Sequence, residues 1–214
     1  MVKTTDNSNE RNLKSGLPRT GKGVVVDIGT GDGRFVYQSA RENPDTFYIG
    51  VDANPQALEK ISLKLERNPS KGGAPNLMFV QAAVEALPSE LDVVADVVHV
   101  HFPWGSLLRA VATGDAAVLA NLRRICAPDG LLEVVIGQDV TRDKTELDAL
   151  GVPELTDAYL GETLVPRYEA SGFRVLDYGA ASPSEWDALN TTWAKRLAGG
   201  AGRTLVYLVA EARV

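Results

Sequence analysis

Two carboxylates and three glycines stand where a nucleotide could be held. Asp27 interrupts the apolar run Val24–Ile28, and Gly29, Gly31 and Gly33 alternate behind it in VVVDIGTGDGR. Alternating glycines allow a tight turn and a close approach of backbone to ligand. Amides at the start of a following helix would then face that ligand. Asp52 closes the next apolar run, FYIGV, at roughly the 20-residue interval that suits a ribose acceptor. A carboxylate only accepts, and each ribose hydroxyl can donate to it; capping the helix after Asn54-Pro55 is the other use for Asp52. Trp104, in HFPWGS, and Trp193, in TTWAKR, offer broad rings for stacking a base or for filling the core. His99 and His101 lie two apart, on one face of a strand. No cysteine or carboxylate accompanies them at ligand spacing, so no metal is expected.

The spacing of the glycines is G-x-G-x-G. It fits neither the dinucleotide fingerprint G-x-G-x-x-G nor a P-loop ending in G-K-[ST]. DIGTGDG instead resembles motif I of the class I S-adenosylmethionine (SAM) methyltransferases.

The elements that must position these residues alternate in type. Val24–Ile28, Phe47–Val51, Leu77–Gln81, Asp92–Val100, Leu131–Ile136, Phe173–Tyr178 and Leu205–Ala210 read as strands. Helical stretches lie between them: Phe35–Arg41, the segment from Pro55, Asp115–Cys126 and Thr156–Ser171, with Gly172 as its stop. Ser182–Glu185 looks like a further helix start. The alternation predicts an α/β fold, a mostly parallel sheet of seven strands with helices on both faces. Ligands of such sheets gather outside the C-terminal ends of the strands. Gly29, Asp52, Ala82-Ala83-Val84-Glu85 and His101–Ser106 therefore converge. Ala82 and Ala83 leave room for a flat ring, with Glu85 beside them.

With 214 residues, 44% of them hydrophobic, the chain suits one α/β domain with additions. Residues 1–22 are expected to form a flexible arm or small hairpin. Residues 23–214 form the single domain, with insertions after the fourth strand and from Gly137 to Pro153, between the fifth and sixth. No run approaches a membrane span. The N-terminal stretch lacks the apolar centre of a signal peptide, so a cytoplasmic monomer is expected. Cys126, the one cysteine, can form no internal disulfide; it falls in a helical pattern and is expected to be buried and inert. The net charge of −6 argues against a uniformly basic surface, not against a local one. Lys60 and Lys64 sit off the apolar stripe of Leu58, Ile61 and Leu65; with Arg67 and Lys71 they form a positive edge or merely a solvated face.

HFPWGSLLR and TTWAKRL, taken with NPSKGGAPNL and DIGTGDG, resemble the aminoglycoside-resistance 16S rRNA (adenine1408-N1)-methyltransferases, the Kam and Npm group, over residues 23–214. That resemblance implies SAM as methyl donor, S-adenosyl-L-homocysteine as product, and the A-site adenine of helix 44 in the 30S subunit as acceptor. It implies that Trp104 and Trp193 clamp a flipped adenine. Asp27 and Asp52 become acids that contact SAM, and Thr30, Ser106 and Thr191 cofactor-pocket residues. Arg196 and Arg203 become rRNA contacts, joined by the edge of Lys60, Lys64, Arg67 and Lys71. The loop AGGAG lacks a basic residue that some members carry after Arg196. Three other readings stay open. The tRNA guanine-N7 enzymes carry F-P-D-P-W where this chain has F-P-W-G. A natural-product methyltransferase could use the insertion from Gly137 as a lid. A non-catalytic RNA-binding protein could keep the fold alone.

Overall fold

The structure is a computed structural model that describes residues 2–3, 23–139, 143–181 and 204–213. Eight strands form one sheet: β1 (Val2–Lys3), β2 (Val24–Ile28), β3 (Phe47–Asp52), β4 (Leu77–Gln81), β5 (Ala95–His101), β6 (Cys126–Gln138), β7 (Phe173–Ala181) and β8 (Thr204–Ala212). Their order is β1-β4-β3-β2-β5-β6-β8-β7. Neighbours from β1 to β6 run parallel, and β8 lies antiparallel between β6 and β7. The seven expected strands are thus present, and the two-residue β1 extends the β4 edge.

Successive residues of a strand point to opposite faces, and here they enter different cores. On one face Tyr48, Leu77 and Phe79 pack with Val36 and Ala40 of α1 (Arg34–Glu42) and Leu58 and Ile61 of α2 (Pro55–Leu65). On the other, Val26, Ile49, Val98, Val100 and Leu132 join residues of α3 (Gly105–Thr113) and α4 (Ala116–Ile125). A short helix, α5 (Lys144–Leu150), follows β6. The expected Thr156 helix runs as α6 (Asp157–Tyr159), a π turn (Leu160–Leu164) and α7 (Val165–Ala170). Among the described residues no helix is long and apolar enough to cross a membrane.

Local chemistry sets the helix starts. The Asn54 side chain accepts from the Gln56 amide and Pro55 fills the first position of α2, while Asp115 accepts from Ala117 and Val118 to start α4. Cys126 is a correction: it is buried as expected, but it opens β6 instead of ending the helix. Burial pushes its thiol up to about 12, which keeps the nucleophilic thiolate scarce. The expected arm, apart from Val2–Lys3, and the expected helix start at Ser182–Glu185 lie outside the described residues.

Two glycines of the turn after β2 share a left-handed backbone but not a surrounding. A methyl on Gly33 (φ 67°) would approach the Phe79 ring to 2.6 Å, whereas one on Gly31 (φ 57°) would meet no atom within 4 Å. Gly33→Ala should therefore cost about 2–5 kcal/mol, backbone strain plus a forced core. Gly31→Ala should cost only the backbone strain, about 1–2 kcal/mol. Urea unfolding of both variants measures this; equal costs would mean that Phe79 moves aside freely.

Candidate cofactor and base site

The C-terminal ends of β2 to β5 enclose a cavity of about 900 Å³. The turn after β2 forms one wall. Gly29 and Thr30 amides both donate to the Val51 carbonyl, at 2.8 and 3.0 Å, and seat the turn on β3. The Gly31 amide donates to one oxygen of Asp52 at 2.8 Å, and the Asn54 amide to the other at 2.8 Å. The Arg34 amide donates to Asp32 at 3.2 Å. The amides expected to await a ligand are thus partly occupied by carboxylates. Asp52 still keeps lone pairs for two more donors, since a carboxylate offers about four acceptor sites.

Gly29, Thr30, Gly31, Asp52, Ala82, Ala83, Glu85, Trp104 and Ser106 all line the cavity. Gly33 and Asp27 do not. Gly33 faces Phe79 and serves packing. Asp27 lies beneath the floor and is 4% exposed. Residues missed by sequence reasoning also line it, among them Asp32, Asn54, His101, Phe102, Leu107 and Gly137. Lys60, Lys64, Arg67 and Lys71 are exposed along α2 and the turn after it. Lys64 Nζ lies 5.6 Å over the Tyr37 ring. Trp193, Thr191, Arg196 and Arg203 lie outside the described residues.

Trp104 is half exposed at the mouth. The backbone that delivers it is bent on both sides, with φ of 49° at Phe102 and 59° at Gly105. The Phe102 amide donates to the Val135 carbonyl at 2.7 Å, and its ring packs against Val135 and Leu205. This wedge between β5 and its neighbours turns Pro103-Trp104 away from the sheet and toward the cavity.

Under the floor a polar row crosses three strands. In register Asp27 pairs with His99, and His99 with Glu133, so these side chains share the face covered by α1. His101 Nε2 and Glu133 Oε1 are 2.9 Å apart. The His99 and His101 rings stack with centroids 4.5 Å apart and planes 17° apart, and Phe35 of α1 tilts against both. Burial pushes Asp27 up to about 6, with Asp52 adding to the rise, against the downward pull of His101 and Thr30. Burial, then the charge of His101, pushes His99 down to about 3, against the pull of Glu133. Burial would raise Glu133, but the His101 hydrogen bond and charge outweigh it and hold it below its ordinary value. Thr30 Oγ1 and His99 Nδ1 are buried without hydrogen-bond partners among the described residues.

The row corrects one premise of the sequence reading. The histidines do have a carboxylate companion, Asp27, from the adjacent strand, and candidate ligand atoms of all three lie within 4.8 Å of one another. Nearly parallel imidazoles, however, aim their in-plane lone pairs along separate lines.

A sequence model of the NpmA family, 16S rRNA (adenine(1408)-N(1))-methyltransferase, matches residues 3–212. The 16S rRNA (adenine(1408)-N(1))-methyltransferase of Escherichia coli is 38% identical over 182 residues, covering 85% of this chain and 83% of that protein. The crystal structure of the aminoglycoside resistance methyltransferase NpmB1 superposes with a TM-score of 0.83 at 44% identity, over 98% of this chain and 94% of its own. A mutant of the Catenulisporales acidiphilia enzyme, solved with cosubstrate SAM, superposes with a TM-score of 0.84 at 35% identity, over 99% and 93%.

Asp27 links pH to stability. Its folded value of about 6 exceeds the ordinary 3.8, so its favourable contribution is complete below about pH 4 and is lost as pH rises through about 6. At neutral pH the buried charge costs about 3 kcal/mol, two units at about 1.4 kcal/mol each. Asp27→Asn should raise the melting temperature of the ligand-free protein at pH 8 and leave it nearly unchanged at pH 4. Thermal melts across that range measure it; a lower melting temperature at pH 8 would mean that the carboxylate is held by compensating donors.

Proposed function

The chain belongs to the 16S rRNA (adenine(1408)-N(1))-methyltransferase family, and from that premise we propose that it methylates N1 of the A-site adenine in helix 44 of 16S rRNA. SAM is the methyl donor, S-adenosyl-L-homocysteine the product and the 30S subunit the substrate, and the modification confers aminoglycoside resistance. The observation that carries this reading is the joining of a nucleotide-sized cavity to a half-exposed Trp104 at its mouth.

The residues present fit the donor. Among the described residues Thr30 holds a buried hydroxyl without a hydrogen-bond partner, and the space over Gly31 is open to 4 Å. Gly29, Thr30, Gly31 and Ser106 would border SAM, Asp52 would take its ribose hydroxyls, and Ala82, Ala83 and Glu85 would flank its adenine. Asp27 supplies negative charge from below, and Gly33 supports the turn through Phe79. When bound, SAM supplies an electrophilic methyl group on a sulfonium. The acceptor nitrogen already carries a free in-plane lone pair, so the chain needs no general base to generate the nucleophile. Its task is placement, which can contribute up to about 7–11 kcal/mol toward the barrier.

Trp104 is suited to that placement. N1 lies on the pairing edge, so the base must leave the helical stack at a cost of a few kcal/mol. Stacking on an aromatic ring returns about 1–3 kcal/mol per base. In this reading Trp193 covers the second face of the adenine, with Thr191 beside the cofactor. The exposed Lys60, Lys64, Arg67 and Lys71, with Arg196 and Arg203, hold rRNA phosphates. Their local charge works within a chain of net charge −6.

Expression in a susceptible bacterium, followed by reverse transcription across helix 44, tests the function, because N1 methylation blocks base pairing and stops the copy at that adenine. Trp104→Ala should lose the stop and drug resistance while SAM affinity by calorimetry stays within about twofold, and Trp104→Phe should keep more of both because a smaller ring still stacks. A parental stop from Trp104→Ala would remove it from base recognition.

A further inference from the structure

His101 is the one member of the buried polar row that also lines the cavity. Asp27 stands on β2, His101 on β5 and Glu133 on β6, in that spatial order. Candidate ligand atoms of Asp27 and His101 lie within 4.8 Å of one another, which leaves the imidazole between two carboxylates. Glu133 Oε1 is 2.9 Å from Nε2. An ionised carboxylate only accepts, so Nε2 carries a proton. The attraction of His101 pulls Asp27 toward ionisation, and Glu133 holds the ring from the other side.

We propose that His101, anchored by Glu133, is a positioning residue that sets the charge of Asp27 under the SAM pocket, so that affinity for the cationic cofactor depends on pH and on this pair. The inference rests on the reading of the cavity as the SAM site. SAM carries a sulfonium and an ammonium against one carboxylate, a net positive charge, so it prefers a floor on which Asp27 is ionised.

Among the described residues, titratable groups meet Asp27 from three neighbouring strands. Asp52, on β3, opposes its ionisation and His101, on β5, favours it. His99, stacked on His101, is pushed far down by burial and stays neutral at physiological pH. Glu133, on β6, lies beyond the histidines. From the helix side α1 contributes Phe35, an apolar ring, and the turn contributes the Thr30 hydroxyl. His101 is thus the titratable neighbour that favours ionisation of an otherwise opposed carboxylate.

Linkage gives the direction. A ligand that prefers ionised Asp27 binds more weakly as pH falls through its titration. Parental SAM affinity should fall toward tenfold per unit below about pH 6. His101→Gln removes that attraction and keeps a polar side chain. Its midpoint should move up by about one pH unit, so that SAM affinity relative to the parental protein is severalfold lower at pH 6 than at pH 8.5. Glu133→Gln should move the midpoint the same way by less, because it only loosens the imidazole.

The experiment is calorimetric titration with SAM between pH 5 and 8.5 for the parental protein and both variants, with circular dichroism at each pH to confirm folding. A purely structural role would weaken SAM equally at every pH and would overturn the proposal. So would an unchanged midpoint, or one moved to lower pH. Should His101→Gln fail to fold, Glu133→Gln and the parental profile decide, and a flat parental profile overturns the idea. Absence of parental SAM binding at every pH would instead overturn the cavity assignment itself.

Discussion

Asp52 accepts from the Gly31 amide and the Asn54 amide, one on each carboxylate oxygen. Those contacts join the turn after β2 to the loop that starts α2. The Val51 carbonyl, one residue earlier, receives the Gly29 and Thr30 amides. Two adjacent residues at the end of β3 therefore fix four backbone donors and with them the wall of the cavity. Charge-assisted hydrogen bonds of this kind exceed neutral ones in strength. Preorganisation matters here because the turn must present its backbone without folding onto the ligand at each encounter. The same carboxylate lines the cavity and retains acceptor capacity beyond the two amides it holds.

The opposite wall is built by bending. Phe102 holds a left-handed φ that costs a non-glycine residue about 1–3 kcal/mol. Its ring packs against Val135 and Leu205, and its amide is paired with Val135. Burial and a hydrogen bond thus hold the strained residue, and Trp104 is carried into solvent beyond it. Packing on Gly137 shows how close the fit is: a methyl there would meet both Leu205 and Phe102 within 3.3 Å. Rigid support beneath an exposed ring is what stacking of an incoming base demands, since a ring that must first be ordered returns less of its stacking energy.

What was legible in the sequence follows from the range of each interaction. The glycine turn, Asp52 and the aromatic after β5 are written in contiguous residues, and parallel topology alone brings them together. The alternation of elements gave the seven principal strands and helices on both faces. Cys126 was misplaced because its apolar neighbours continue the period of α4 until β6 pairing takes over. Gly33 looked like part of the cradle because spacing cannot reveal Phe79, which arrives from β4. The polar row was invisible for the same reason: Asp27, His99 and Glu133 meet only through the registers of β2, β5 and β6. His99 and His101 did announce a shared face, but the carboxylates that give that face its chemistry lie far away in the chain.

A buried carboxylate at the heart of this sheet is a poor choice for stability alone. Apolar residues surround Asp27 along β2, and Val26 and Ile28 beside it are almost wholly buried. Replacing the acid by a valine would continue the strand that its neighbours already spell. The acid makes sense where a positively charged ligand spends part of its time above it. Burial makes the ionised form of Asp27 costly, a cost that cationic charge placed above it would relieve. His101, held by Glu133 at 2.9 Å, pulls Asp27 toward ionisation without overcoming the penalty of burial. The site is thereby held near the balance between a neutral floor, which favours the empty protein, and a charged floor, which favours the occupied one.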